Sequence, residues 1–384
     1  MEDFDLTPEA IEEQVAQVQQ VDEFNESVNY DKFIVLSKKD ISNFCRLVEP
    51  LTKQSIDDYG KCVHVRCIDN DNVELSYINT PYIVRCIIPN KSGKQVSEFS
   101  TNVSTIKRLI TQAFASLVLV ENEGEINIAL CESLLYLETK PLLNEQFNIQ
   151  EKECDESIDN EGANYVFKRM GASLALTERQ SEKVIVVKNG TVNFNTGIFV
   201  ARAKSPFTGE ENFVLYNQVS SLISVLADLV KSSIKYKIED EILALKADSI
   251  YIEAQIGAED KIESFSSPVA DMALSFEGKV TIINDNILRI ITVVKNLDYL
   301  SDIVTVEFTK DTLNIVINNS SNTKSSKYSF PILEGVSTEQ STIKLTTDVL
   351  KLFLSIAGTE CKYDLTSVGL GIETQDGKYL IRKS

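Results

Sequence analysis

Apolar residues recur along this chain first at helical and then at strand spacing, and the alternation itself repeats. Six segments carry apolar residues three and four apart, together with Lys or Arg, beginning near Lys38, Asn102, Asn160, Asn217, Asp285 and Thr346. Strand-like sequence follows each of them. The starts lie 64, 58, 57, 68 and 61 residues apart. A period near 60 (roughly, as read against known repeat lengths) is too long for the common solenoids, so it indicates one supersecondary unit used six times.

The second segment shows the pattern well. Val103, Ile106, Ile110, Ala113, Phe114 and Leu117 fall on one side, and Ser104, Lys107, Arg108 and Thr111 on the other, which predicts a helix over 102 to 117. Helices are likewise predicted over 38 to 54, 160 to 177, 217 to 235, 285 to 297 and 346 to 357. Val166, Phe167, Met170 and Leu174 form the third stripe, and Leu222, Ile223, Leu226, Leu229 and Val230 the fourth. Runs rich in Val, Ile and Tyr predict strands after each helix, among them Lys61 to Asp69, Asn72 to Asn79 and Tyr82 to Ile88, with a turn at Asp69–Asn72. The segment from Tyr236 to Ile256 and the closing stretch from Cys361 to Ile381 read the same way.

Two helices with about eight strands make one domain, and three such domains fit the length. The polar, acidic run from Glu151 to Gly162 reads as one linker, passing into the next helix N-terminus, and Ser264-Phe265-Ser266-Ser267-Pro268 reads as another. The expected division is an acidic tail at 1–31, then domains at 32–144, 145–266 and 267–384. Residues 1 to 31 hold ten acidic residues and no Lys or Arg; Thr7 and Pro8 mark a short helix start within them. The fold class is α+β, with pairs of helices packed on antiparallel sheets and their basic faces left exposed together.

Charge changes the picture. The chain has 384 residues, 43% hydrophobic, and a net charge of -19, which taken as an average would repel nucleic acid. The six helical segments, however, hold 13 Lys plus Arg against 6 Asp plus Glu, out of 38 and 57 in the whole chain. The remainder therefore holds 25 and 51, so helices of net +7 sit in a body of net -26. A solvated helix face is the competing reading of any single Lys, but the recurrence of the bias is not explained by it.

Catalytic and metal-binding patterns are missing. Seven cysteines (Cys45, Cys62, Cys67, Cys86, Cys131, Cys154 and Cys361) contain no Cys-x-x-Cys pair, which fits neither zinc nor a disulfide framework. The sole histidine, His64, alternates with Val63 and Val65 and reads as a surface or satisfied core residue. Gly369-Leu370-Gly371 is too short for a dinucleotide fingerprint, and the calcium-loop likeness at Asp69 lacks its glycine. No cofactor, metal or enzymatic activity is expected. No signal peptide or membrane span is read either, and a cytoplasmic location is expected.

Three stretches carry a family resemblance: Asn212-Phe213-Val214-Leu215 leading into Gln218 to Val230, the run from Ser341 to Leu350, and Gly377-Lys378-Tyr379-Leu380-Ile381. Together with the six units, from Phe33 to Arg382, the chain resembles the bacterial-type DNA sliding clamp, the beta subunit of the replicative polymerase. That resemblance implies a homodimeric ring of clamp domains whose helices line a hole and whose sheets face outward. It implies double-stranded DNA, bound without regard to sequence, a DNA polymerase and a clamp loader as partners, and no membrane. Positive helices inside an acidic body would attract phosphates only within the hole. The candidate phosphate-facing residues are Lys38, Arg46, Lys53, Lys107, Arg108, Lys168, Arg169, Lys231, Arg289, Lys295 and Lys351. The competing expectation is a clamp-fold scaffold that binds protein, for instance in transcription, without loading onto DNA.

The resemblance also implies a partner-peptide pocket at Gly197, Ile198, Phe199, Val200, Pro268, Leu380, Ile381 and Arg382. Here the chain departs from the pattern. The usual His-Arg after the glycine is Ile198-Phe199, and the usual Met-Pro-Met-Arg-Leu ending is Arg382-Lys383-Ser384. These departures and the tail suggest a divergent member, such as a phage one. Within the tail, Gln20-Val21-Asp22-Glu23-Phe24 resembles the peptides such pockets bind, against the plainer reading of a disordered acidic tail.

Overall fold

The structure is a computed structural model. It describes residues 30–52, 61–112, 116–130, 133–140, 150–174, 184–195, 199–258, 274–275, 280–295, 300–319, 323–333, 341–347, 349–350, 360–365, 369–374 and 376–382. The tail at 1–29, Lys53, Gly197, Ile198, Pro268 and Lys351 lie outside them.

Among the described residues the strands fall into three sets of eight. The first is β1 (Phe33–Ser37), β2 (Cys62–Cys67), β3 (Asn72–Asn79), β4 (Tyr82–Pro89), β5 (Phe99–Asn102), β6 (Ser116–Asn122), β7 (Glu125–Leu130) and β8 (Ser133–Tyr136). Helix α1 (Lys38–Thr52) follows β1, and α2 (Val103–Gln112) follows β5. The second set is β9 (Glu156–Ile158), β10 (Val184–Lys188), β11 (Thr191–Asn195), β12 (Phe199–Lys204), β13 (Phe213–Tyr216), β14 (Ile234–Glu239), β15 (Ile242–Ala247) and β16 (Ile250–Gln255). Its helices, α3 (Asn160–Leu174) and α4 (Asn217–Leu229), occupy the same two places. The third is β17 (Val280–Ile283), β18 (Leu300–Phe308), β19 (Thr312–Asn319), β20 (Ser325–Pro331), β21 (Ser341–Thr346), β22 (Glu360–Leu365), β23 (Gly369–Glu373) and β24 (Gly377–Arg382). Helix α5 (Asn284–Lys295) follows β17, and helical residues begin again at Thr347 after β21.

Strand order repeats with the same period. The order β5-β2-β3-β4 recurs as β13-β10-β11-β12 and as β21-β18-β19-β20, while β1-β6-β7-β8 recurs as β9-β14-β15-β16 and β17-β22-β23-β24. Two of these halves join edge to edge through β4 and β16, and two more through β12 and β24. All observed pairings are antiparallel.

The described residues group into two compact units. The first comprises Met1–Glu156 with Asp228–Gln255, and the second Ser157–Ala227 with Ile256–Ser384. The segment 145–266 read as a middle domain is thus shared between them, because β14 to β16 extend the sheet of β2 to β5. In the first unit, Ile41, Phe44, Leu47 and Val48 of α1 and Val103, Ile106 and Ile110 of α2 are buried, as are Val63, Val65, Leu75 and Tyr77 of the sheet. Burial of each such side chain contributes about 1.5–3 kcal/mol. In the second, Ile185, Val187, Val192, Leu215, Leu222, Ile223 and Leu226 are buried.

Local chemistry sets the boundaries. Asn102 Oδ1 accepts from Ser104 N at 2.8 Å and caps α2, as Thr346 Oγ1 accepts from Val349 N at 3.3 Å in the third set. Glu123 and Gly124 join β6 to β7 with φ of 52° and 83°, and Asn189 and Gly190 join β10 to β11 with 50° and 69°. Left-handed backbone at both central residues matches the twist of a two-residue hairpin. The predicted turn at Asp69 is present, its Oδ1 accepting from Asp71 N at 2.8 Å.

The structure departs from the sequence reading in three places. Helix α2 is shorter than the predicted 102 to 117: Leu117 lies in β6 opposite Leu36, its apolar spacing being satisfied by the sheet core instead. The run from Glu151 to Gly162 passes into the start of the next helix as expected, and it also contains the three-residue strand β9. The short strands β5 and β17 precede helices and carry too few residues for alternation to register in sequence.

Candidate nucleic-acid interface

Five of the candidate cations lie on helix faces out of phase with the buried stripes. Arg46, Lys107, Arg108, Lys168 and Arg289 are exposed, as is Lys231 just beyond α4. Helix periodicity places them there: each apolar stripe packs on sheet, so residues out of phase with it face solvent. Lys38 opens α1 and is half-buried. Arg169 and Lys295 lie within α3 and α5.

These cations are not equivalent. Arg46 Nη2 lies 2.5 Å from Asp228 Oδ2, and Lys107 Nζ lies 2.9 Å from Glu49 Oε2. Both ion pairs are solvent-exposed and link different helices. Arg108, Lys168, Lys231 and Arg289, by contrast, are in no ion pair among the described residues. Sequence reasoning selected Arg46 and Lys107 by charge alone and did not single out Asp228 or Glu49. The 182-residue separation of Arg46 from its partner left no local signal to read.

Of the residues expected in a peptide pocket, Phe199, Val200, Leu380, Ile381 and Arg382 are described, and β12 and β24 bring them together. Phe199 pairs with Ile381 and Val200 with Leu380. Alternation along the strands puts the two pairs on opposite faces of the sheet. Phe199 lies beside the rings of Phe194 and Tyr379, whose centroids are 5.9 and 6.4 Å away. Val200 and Leu380 form a buried cluster with Leu274 on the other face. Arg382 Nη2 donates to Asn195 Oδ1 at 3.5 Å.

Two edges differ from their counterparts. Strand β20 holds the place in the third set that β4 and β12 hold in theirs, and β8 holds the place of β16 and β24. Among the described residues, β20 and β8 each have one neighbouring strand only. Leu135 and Tyr136 of β8 are 50% and 55% exposed. An exposed apolar edge strand is a template for pairing with another chain.

Other titratable groups are tied into the scaffold. His64 is buried, with Nε2 2.9 Å from Glu98 Oε1 and Nδ1 3.3 Å from Ser100 Oγ. Among the described residues no group of His, Cys, Asp and Glu is arranged to hold a metal. No described helix is long and apolar enough to cross a membrane.

No family model matches the chain, and neither does any curated protein sequence. Solved structures do match. The Helicobacter pylori beta clamp bound to a DNA ligase peptide aligns with a TM-score of 0.68 at 14% identity, covering 92% of this chain and 99% of that one. DNA polymerase III subunit beta from Borrelia burgdorferi gives a TM-score of 0.70 at 12% identity over 92% and 98%. The DNA polymerase sliding clamp of Pseudomonas aeruginosa gives 0.66 at 11% over 92% and 99%. Near-complete coverage in both directions gives this chain the fold of those clamps, held by a strongly divergent sequence.

Proposed function

We propose that this chain is a sliding clamp: a non-enzymatic ring that encircles duplex DNA and tethers a replicative DNA polymerase to it. The observation that carries the reading is the threefold repeat of an eight-strand set with two complementary edges left over. If β20 of one copy pairs with β8 of the next, the joint repeats β4 with β16 and β12 with β24. Two copies, each contributing the three domains read from sequence, then form a closed homodimer. The exposed cations of α1, α2, α3 and α5, with Lys231 just beyond α4, supply sequence-independent attraction for phosphates, and the acidic remainder repels a duplex elsewhere. Helicobacter pylori's clamp carries a ligase peptide; a polymerase and a clamp loader would be the corresponding partners here, in the cytoplasm.

A second reading is a clamp-fold scaffold that binds protein and does not load onto DNA. The pairing of Arg46 and Lys107 with carboxylates favours it, since those pairs reduce the free positive charge. Loading onto nicked circular DNA separates the two. A clamp stays on the circle through a high-salt wash and is lost after linearisation by running off the ends. Loss in salt alone, or retention on linear DNA, argues against a topological ring.

A further inference from the structure

Five of the six acidic residues in the six helical segments lie among the described residues, and three of those five have a helix-internal reason to be there. Asp40 and Glu161 lie in the first turns of α1 and α3, and Asp285 is the second residue of α5; Asp348 lies outside the described residues. Carboxylates at helix N-termini complement the positive end of the macrodipole. Glu49 and Asp228 break that rule. Glu49 is the twelfth of fifteen residues in α1, and Asp228 the twelfth of thirteen in α4, so both sit toward the end where the macrodipole repels negative charge. Among the described residues these two also hold expected phosphate-facing cations, Asp228 that of Arg46 and Glu49 that of Lys107. All four residues belong to the first compact unit.

We infer that Asp228 and Glu49 act as built-in phosphate substitutes that limit how tightly the basic helices hold DNA. The inference rests on the sliding-clamp reading and deepens it. A carboxylate offers a guanidinium or ammonium the same kind of charge-assisted hydrogen bond that a phosphate oxygen does. When a duplex arrives, Arg46 and Lys107 exchange one anion for another, so little net attraction is gained, and the released carboxylates then repel the backbone. Arg108, Lys168 and Arg289 have no such competitor among the described residues and supply the attraction that remains. A clamp that must move benefits from weak contacts, because each phosphate contact released costs less.

The test is equilibrium binding of the full-length chain to a linear fluorescent duplex over a range of salt concentrations, comparing the parent with the double variant Asp228→Asn, Glu49→Gln. Both changes keep side-chain shape at exposed positions, and a thermal melt confirms the fold. Freeing two cations is expected to tighten binding several-fold at low salt and to steepen the plot of log affinity against log salt by up to about 1.8, at about 0.9 per phosphate contact. Arg108→Ala with Lys168→Ala serves as the opposing control and should weaken binding. Unchanged or weaker binding by the carboxylate variant, with the control behaving as expected, overturns this inference and leaves the clamp reading standing. Binding indifferent to both pairs of changes removes the DNA interface itself, and the inference with it.

Discussion

Glu74 on β3 is held by Arg85 on the neighbouring strand β4, Oε2 to Nε at 2.5 Å, while the carboxylate is all but sealed from solvent. Arg66 Nη2 reaches the same oxygen at 3.1 Å, and Ser76 Oγ donates to Oε1 at 2.8 Å. Arg85 continues to Glu151, which also meets Lys246 of β15, so one chain of charges crosses the strands of the first unit.

That arrangement predicts acid sensitivity. Burial by itself raises the Glu74 pKa, but the hydrogen bonds from Ser76 and Arg85 and the charges of Arg85 and Arg66 outweigh it and leave the pKa lowered. A lowered folded-state pKa contributes stability that is fully present above the unfolded value and is lost as pH falls through the folded one. Glu74→Gln should cost roughly 1.5–3 kcal/mol at pH 7, in the range of hydrogen bonds to a charged group. The gap between variant and parent should narrow below about pH 4, where the unfolded carboxyl protonates. Urea unfolding at pH 7 and at acid pH checks both; a gap that stays constant with pH contradicts the assignment.

Glycine at 377 answers to space rather than conformation. A Cβ there would fall on the Arg202 carbonyl and against Ala203, at the joint of β12 and β24. At Gly124 a Cβ meets nothing within 4 Å, and the constraint is its φ of +83°. Gly377→Ala is therefore expected to destabilise by about 3 kcal/mol or more, as strained or overpacked core changes do. Gly124→Ala should cost about 1–2 kcal/mol, the penalty for left-handed backbone. Comparable melting temperatures for the two variants would remove the distinction.

The β8 edge predicts an assembly defect without a folding defect. Leu135 and Tyr136 are exposed in the single chain, so Leu135→Lys with Tyr136→Lys leaves the core intact. Charged residues on an edge strand block strand pairing. Sedimentation should find the parent as a dimer and the variant shifted to monomer, by at least tenfold in dissociation constant, with unchanged far-UV circular dichroism. A parent that sediments as a monomer at every concentration counts against closure through this edge.

Thiol chemistry offers a separate check on the core. Burial raises the pKa of Cys45 to about 11 and that of Cys86 to about 12. Thiolate is the reactive form, so at pH 8 both should resist alkylation in the native protein and react only after unfolding. Peptide mapping by mass spectrometry reads this directly; rapid labelling of either residue in the folded chain would place it outside the core described.

Much of this fold was legible because its helices are strongly amphipathic. The stripes at Val103, Ile106 and Ile110 and at Leu222, Ile223 and Leu226 each bury as their spacing predicts. Where the reading overran, as at Leu117, a residue at helical spacing had been taken into a sheet, and periodicity cannot tell these apart over a single position. Of the basic residues selected, Arg46, Lys107, Arg108, Lys168, Lys231 and Arg289 are exposed and Lys38 is half-buried, but the pairing was not readable: Arg46 meets Asp228 only through tertiary packing. Strand alternation likewise separates Phe199 from Val200, although the two are adjacent in sequence.

The strand repeat runs in one direction. Each joint brings together two unlike edges, the last strand of one order and the last strand of the other, as β12 meets β24. A surface of that kind has a head and a tail and is not self-complementary. Copies linked through β20 and β8 would therefore all point the same way around the assembly, and its two sides would differ. A partner approaching from solution could then recognise which side it had met, so the order of the strands would fix the direction in which such an assembly faces along a duplex.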